Sequence, residues 1–352
     1  MCIFASDLYR TQMKDKKKKI IIAAVCLAAL GVVAALLGLP DFMSGAPCDG
    51  LIKIRKGASV ESVCDSIRAE VDNDYADRVE TLLKLTGSDL SKRQGAFKIK
   101  EGMSVYHAMR LLRNGDECGV RFTFNNVRTK EEFASRFSAK FMVEKDTLLA
   151  ALNDPKLCAK YGRTPDNITG MLWPDTYEFF WDVTPEQLLD RFNDFYNKFW
   201  TEERLAKAKA LGLTPQQLEV IASITEEETI KSDERGKVAR LYINRVQQGM
   251  MLQADPTVKF ALGDFSIRRL THAMTEVDSP WNTYRVKGLP PGPIRLPEKK
   301  TIEAALNSRA HDYIYMCAKE DFSGYHNFAV DYGTHMANAR RYQAELNRRN
   351  IK

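Results

Sequence analysis

The chain has 352 residues, of which 44% are hydrophobic and 28% are charged, a composition typical of a globular protein with a membrane anchor and two or three modest domains. The formal net charge is +6, and lysines at positions 14 and 16–19 account for most of that excess. Because the remainder is nearly balanced and has no zinc finger, helix-turn-helix or basic-aromatic repeat, nothing in the sequence favours nucleic-acid binding.

An apolar run follows these lysines directly. Residues 20–39 carry no charged side chain, and a helix of this length spans about 30 Å, the thickness of a bilayer core. We therefore predict a transmembrane helix over residues 20–39. Lysines favour the cytoplasmic side, so residues 1–19 are predicted to be cytoplasmic and the rest to lie outside the inner membrane. A cleaved signal peptide, the alternative, would have a shorter apolar region.

The seven cysteines show no spacing typical of a metal site, and none forms a CxxC pair. Five of them follow the predicted anchor, an odd number scattered along the chain. We predict structural thiols rather than disulfides, and neither a metal nor a cofactor.

Two short segments early in the chain resemble each other. Residues 52–60 read IKIRKGASV and residues 97–105 read FKIKEGMSV. In each, alternating apolar and charged residues indicate a strand, a glycine indicates a turn, and a serine is suited to cap the following helix. We predict two strand–turn–helix units that share one small sheet, forming a small α/β domain over residues 48–119.

The remaining residues, 120–352, are predicted to form a mixed α+β domain, so the overall fold class is α+β. Helical patterns with many aromatic residues follow a strand at residues 120–124. Thr214 begins a capping box, and the helix after it is predicted to continue to residue 230. Further elements are a helix from 232 to 249, a proline-rich loop at 290–293, a strand at 313–317 and a last helix over 334–348.

Three consecutive acids near the end of the helix after Thr214 point in different directions. At about 100° per residue, Glu228 falls on the apolar stripe of Leu218, Ile221 and Ile224, whereas Glu226 does not. Burial on such a stripe raises the pKa of a carboxyl group, and a glycosidase needs such a carboxyl group as its general acid near neutral pH. The alternative is a structural glutamate paired with an arginine, such as one at 235, 240 or 245.

Further polar residues downstream are suited to a sugar-binding cleft, which uses amides, hydroxyls and aromatic faces. Any one of them alone is explained equally well as a cap or a turn. They are Asn244, Arg245, Gln253, Asp255, Asn282, Tyr284, His326 and His335.

Several motifs together resemble the YceG-like endolytic murein transglycosylases. Their order and spacing match over roughly residues 170–345. The matching segments are 173–177 (WPDTY), 222–229 (ASITEEET), 243–245 (INR), 249–250 (GM), 252–258 (LQADPTV), 282–284 (NTY) and 288–294 (GLPPGPI), together with His326, Phe328 and His335.

The resemblance implies that Glu228 is catalytic and that residues 48–119 form a LysM-like glycan-binding domain. It implies a lytic cleavage between N-acetylmuramic acid and N-acetylglucosamine of nascent strands, giving 1,6-anhydro ends and terminating strand elongation. In this one-glutamate reaction Glu228 is expected to protonate the bridging oxygen and then to deprotonate the muramyl 6-hydroxyl. Peptidoglycan strands are then the substrate, and peptidoglycan synthases are candidate partners. Glu226, Gln253 and Asn282 are expected to position the sugar or Glu228, and Asn244, Asp255 and Tyr284 to contribute to substrate binding.

Two alternatives remain open from the sequence. One is a hydrolase that uses water, with Asp255 or Glu226 as its second acid. The other is a glycan-binding scaffold without activity.

Overall fold

A computed structural model describes residues 19–28 and 42–349. Residues 19–28 are helical. Within the described ranges, no helix is both long enough and apolar enough to cross a bilayer. The predicted anchor over residues 20–39 extends beyond them, because residues 29–39 lie outside the described part, as do residues 1–18 of the predicted cytoplasmic segment.

The described chain divides into two compact units, and each contains helices and small antiparallel or paired strands. The first unit ends at Val120 and includes the short segment Phe180–Asp182; the second contains Arg121–Phe179 and the chain from Val183 onward. The division lies next to the expected boundary at 119/120, whereas no sequence signal indicated that residues 180–182 belong with the first unit. The predicted α+β class is confirmed.

Between Gly50 and Asn114, the first unit consists of a two-stranded antiparallel sheet and three helices. Ile52 of the first strand lies opposite Phe97 of the second, and both are fully or almost fully buried. The elements are β1 (Gly50–Ile54), α1 (Val60–Glu70), α2 (Asn73–Leu85), β2 (Gly95–Ile99) and α3 (Val105–Asn114).

The internal repeat explains this unit. Both predicted strands form, and each is followed by a glycine with a positive φ, +84° at Gly57 and +77° at Gly102, a conformation that glycine adopts without steric cost. Ser59 and Ser104 cap α1 and α3 as predicted, because each hydroxyl accepts a hydrogen bond from a backbone N–H in the first turn. The strands pair in one sheet, so the apolar positions of both copies meet in a single core.

The second unit contains most of the helices. Its elements in chain order are β3 (Val120–Thr123), α4 (Lys130–Ser138), α5 (Lys145–Leu152), α6 (Pro155–Lys160), a 3₁₀ turn (Ile168–Met171), β4 (Thr176–Phe179), α7 (Pro185–Phe199), α8 (Glu202–Ala210), α9 (Pro215–Glu228), α10 (Arg235–Gln247), α11 (Asp255–Leu262), α12 (His272–Thr275), α13 (Lys299–Leu306), β5 (Tyr315–Ala318), β6 (His326–Ala329) and α14 (Tyr332–Arg348). Strand β3 pairs with β4, and β5 pairs with β6.

Helix α9 forms the centre of this unit. Its residues Leu218, Ile221 and Ile224 are completely buried, and it packs against α10, α11 and α13. The predicted capping box at Thr214 is present, with Pro215 at the first helical position. Because α9 is surrounded on several sides, side chains at its C-terminal end are held in fixed positions.

Several predicted helix boundaries were wrong by two or three residues. Helix α9 ends at Glu228 rather than at residue 230, and Thr229 already has extended backbone angles. Helix α10 begins at Arg235 rather than at 232, after a short turn. The carboxylate of Glu234 at the α10 N-cap does not cap the helix, because it binds His326 instead.

A buried ion pair joins α9 to the loop before the 3₁₀ turn. Both Arg163 and Glu219 have side chains only 1% exposed, and two hydrogen bonds of 2.5 and 3.0 Å connect them. A two-point contact of this kind fixes the orientation of both groups as well as their separation.

The six cysteines in the described part of the chain are free thiols. Cys64 and Cys158 are completely buried, and burial raises the pKa of both thiols. These two side chains behave as small apolar groups of the core.

Candidate active site

The first two of the three acids at the end of α9 are held by arginines. Glu226 is buried, accepts a hydrogen bond from the backbone N–H of Glu298 at 2.8 Å and lies 3.0 Å from Arg295 Nε. Glu227 contacts Arg128 at 3.0 Å and Arg295 at 2.9 Å. Both carboxylates therefore attach α9 to the segment that follows the proline-rich loop.

The third acid, Glu228, has a different environment. Its Oε1 accepts a hydrogen bond of 2.8 Å from the hydroxyl of Tyr242 on α10, and it has no ion pair with any arginine or lysine in residues 42–349. Two of the three arginines considered as partners are engaged elsewhere: Arg235 binds Glu298, and Arg245 binds backbone carbonyls and Gln253.

The electrostatic environment of Glu228 favours its protonated form. The pKa of Glu228 is raised to about 7, mainly by burial and to a smaller extent by the negative charge of Asp255, whereas the hydrogen bond from Tyr242 acts in the opposite direction. Glu228 is also the last residue of α9, where the partial negative charge of the helix end disfavours a carboxylate. A carboxyl group with a pKa near 7 can both donate and accept a proton at neutral pH.

Glu228 lies in the wall of a cavity of about 400 Å³. Side chains from four regions of the second unit meet there: the end of α9, helix α10, the loops around 253 and 284, and the β5–β6 sheet with the start of α14. The lining residues are Glu228, Leu241, Tyr242, Arg245, Leu252, Gln253, Asp255, Tyr284, Tyr315, Met316, Cys317, Ala318, His326, Tyr332 and His335. This set of carboxyl, amide, guanidinium, imidazole and phenol groups suits a ligand rich in hydroxyls.

Three of the predicted substrate-binding residues belong to this cavity. Gln253 accepts a hydrogen bond of 2.8 Å from Arg245 Nη2, and its backbone has a positive φ of 49°. Asp255 accepts a hydrogen bond of 2.5 Å from the hydroxyl of Tyr284. Since a positive φ is uncommon for residues other than glycine, the loop holds Gln253 in a constrained position at the cavity wall.

The other three predicted residues lie outside the cavity lining. The first is Glu226, which is paired with Arg295. The amide of Asn244 donates to the backbone carbonyls of His311 and Tyr313. The amide of Asn282 donates to the carbonyls of Thr275 and Val277. These three side chains are buried and satisfy backbone groups, so they support the loops that form the cavity.

The sequence did not identify Tyr242 as a site residue, and it gave Arg245 and His326 no individual role. Tyr242 lies between Leu241 and Ile243 and reads as an ordinary core residue, although its spacing of three from Arg245 places both on one helix face. His326 was noted as a polar residue near the C-terminus and as part of a motif. The acid that binds it, Glu234, is distant in sequence, so no local pattern connects the two.

The structure was also searched for side chains that could bind a metal ion. Across residues 19–28 and 42–349, no group of three or more His, Cys, Asp or Glu side chains is arranged to hold a metal ion.

The comparisons with known proteins agree on one family. The model of the YceG-like family matches residues 52–341. An endolytic murein transglycosylase from Bacillus subtilis is 27% identical over 287 residues, which cover 77% of this chain and 79% of the relative. An endolytic murein transglycosylase from Streptococcus pneumoniae strain D39 is 31% identical over 192 residues. The match covers 53% of this chain and 33% of that relative.

A solved structure has the same fold. The crystal structure of a YceG-like protein from Listeria monocytogenes aligns with a TM-score of 0.54 and 23% sequence identity. The alignment covers 82% of this chain and 98% of the Listeria chain.

Proposed function

The chain belongs to the YceG-like family, and from this premise we propose that it is an endolytic murein transglycosylase with Glu228 as its general acid. The observation that carries the assignment is the environment of Glu228. It is the one acid of the α9 trio that lines the cavity, and it has a pKa of about 7 and a tyrosine rather than an arginine as its partner.

The reaction needs one proton donor and one proton acceptor. Glu228 would protonate the oxygen that links N-acetylmuramic acid to N-acetylglucosamine. The muramyl 6-hydroxyl would then close on the anomeric carbon as a 1,6-anhydro ring, which consumes no water. A base has to take the proton of that hydroxyl, and the carboxylate left on Glu228 is one available base. Gln253, Asp255 and Tyr284 would hold the sugar by hydrogen bonds.

A hydrolase that uses water is the second candidate, because Asp255 lines the same cavity as Glu228. Glu226 does not fit the role of its second acid, since its side chain is 1% exposed and paired with Arg295. Product mass separates the two reactions, because an anhydro end lacks one water relative to a hydrolysed end.

The decisive experiment is Glu228→Gln, which keeps the size and removes the transferable proton. Loss of a general acid costs about 10²–10⁴-fold in rate, so the variant should fold, bind glycan and form almost no anhydro product from purified sacculi. The matched control is Glu227→Gln, the neighbouring acid outside the cavity lining, which should keep most of the activity. If Glu228→Gln cleaves at a near-normal rate, the acid assignment fails.

We also propose that the protein is anchored in the inner membrane by residues 20–39, with both units on the outer side. The lysines at 14 and 16–19 and the uncharged apolar run support this topology. Such a position would place the cavity beside newly synthesised strands and near peptidoglycan synthases.

The first unit would bind glycan. The repeat at 52–60 and 97–105, which builds a sheet with its own core, and the family resemblance support a LysM-like module over residues 48–119. The module would keep the strand close to the catalytic unit.

A further inference from the structure

Glu234 is a buried carboxylate that the proposed reaction does not use. It is 6% exposed, and three groups donate hydrogen bonds to it. His326 donates from its ring Nδ1 to Oε2 at 2.7 Å and from its backbone N–H to Oε1 at 2.9 Å. The hydroxyl of Thr229 donates to Oε2 at 3.2 Å.

These contacts fix the orientation of the His326 ring. Because the buried carboxylate accepts from Nδ1, the proton of a neutral imidazole sits on that nitrogen. The opposite nitrogen, Nε2, then carries the free lone pair. His326 lines the 400 Å³ cavity, and Nε2 has no hydrogen-bond partner among the described residues, so this lone pair is available to a ligand in the cavity.

The same network connects His326 to the catalytic acid. Thr229 directly follows Glu228 as the C-cap of α9, where its backbone N–H binds the carbonyl of Thr225 at 3.1 Å. Its hydroxyl reaches Glu234. Glu228 and His326 therefore line the same cavity, and both are connected to the carboxylate of Glu234. His326 binds it directly, and Glu228 is connected to it through the neighbouring residue Thr229.

We propose that His326 is the base that deprotonates the muramyl 6-hydroxyl, and that Glu234 is its positioning residue. This rests on the proposed function. The bridging oxygen first receives the proton of Glu228, and its bond to C1 breaks. Nε2 then takes the proton as the O6–H bond breaks, and the released electron pair forms the bond from O6 to C1.

After one turnover His326 is protonated and Glu228 is a carboxylate. One proton moving between them through solvent restores the starting state, so no net proton, water or metal is consumed.

The first test is His326→Gly, assayed for anhydro product with and without free imidazole. The glycine keeps the backbone N–H that binds Glu234 and leaves space for the ring. We expect a loss of about 10²-fold or more and a partial, concentration-dependent recovery with imidazole. The matched control is His335→Gly, which removes the other imidazole lining the cavity and should gain nothing from imidazole.

The second test is Glu234→Gln, which can donate an N–H to Nδ1 and so moves the ring proton to Nε2. We expect kcat to fall while KM stays nearly unchanged. In the His326→Gly background with imidazole, Glu234→Gln should have little further effect, since free imidazole needs no positioning. A purely structural role for Glu234 predicts equal losses in both backgrounds.

Folding and glycan binding are checked first by thermal unfolding and by sacculus pull-down. If folded His326→Gly forms anhydro product at the wild-type rate, or if its loss is not recovered by imidazole, His326 is not the base. Either result leaves the proposed function intact, because the wild type would still release anhydro ends. Absence of anhydro ends from the wild type would instead overturn the proposed function itself.

Discussion

Replacing Tyr242 by phenylalanine would test how the protein sets the pKa of its acid. The Tyr242 hydroxyl donates a hydrogen bond of 2.8 Å to Glu228, and this bond stabilises the carboxylate form against the effect of burial. The tyrosine is 2% exposed, and phenylalanine keeps its ring. The substitution should therefore raise the pKa of Glu228 further without disturbing the packing of α10.

The size of the effect follows from the strength of this bond. A hydrogen bond to a charged group contributes about 1.5–3 kcal/mol, and one pKa unit corresponds to about 1.4 kcal/mol. The pKa of Glu228 should rise by about 1–2 units. A general acid works only when protonated, so wild-type activity should fall as the pH rises through about 7. In the variant this fall should occur at a correspondingly higher pH.

The measurement is kcat/KM for anhydro-product formation across the pH range, which reports groups of the free enzyme. Tyr315→Phe is the control, because Tyr315 lines the same cavity but makes no hydrogen bond to Glu228 among the described contacts. In Tyr315→Phe the fall in activity should occur at the same pH as in the wild type. If the fall in Tyr242→Phe occurs at the wild-type pH or at a lower pH, Tyr242 is not the group that lowers the pKa of Glu228.

Three further predictions concern stability and organisation. Arg163→Met leaves Glu219 buried without its cation and should cost about 3–5 kcal/mol of unfolding free energy, measured by denaturant titration. Changing Glu219 to Leu as well should recover part of the loss, and no recovery would argue against the pair as the cause. An export-dependent reporter fused after Lys352 should be active, and silence of an intact fusion would contradict the proposed topology. A fragment of residues 48–119 should fold and bind peptidoglycan; a folded fragment that does not bind would be only a spacer.

The sequence predicted most where the information is local. The stripe of Leu218, Ile221 and Ile224 that singled out Glu228 depends on one helix, and all three are completely buried. The serine caps of the first unit and the capping box at Thr214 also depend on residues a few positions apart. Such short-range patterns follow from backbone geometry alone.

Partners distant in sequence were not predicted. Tyr242 reaches Glu228 from the next helix, 14 residues away, and Glu234 binds His326 across 92 residues. Neither pair has a periodicity that would bring it to notice. Each is a consequence of how α9, α10 and the β5–β6 sheet pack together.

Polar residue type alone was also insufficient. Asn244 and Asn282 carry the amides of a sugar site but bind backbone carbonyls of nearby loops. A buried carbonyl without a partner is costly, so an amide close to one is used there first. Composition cannot distinguish an amide that holds a loop from one that awaits a ligand.

The three acids at the end of α9 have separate destinations because consecutive helical residues differ by about 100° in direction. Glu226 contacts Arg295 and the Glu298 backbone, Glu227 contacts two arginines, and Glu228 faces the cavity. All three carry the same functional group, so their different roles follow from the direction in which each side chain leaves the helix. Loss of a single codon between Leu218 and Thr225 would keep all three acids yet bring Thr229, rather than an acid, to the helical position that faces Tyr242. Such an in-frame deletion should be as damaging to activity as loss of Glu228 itself.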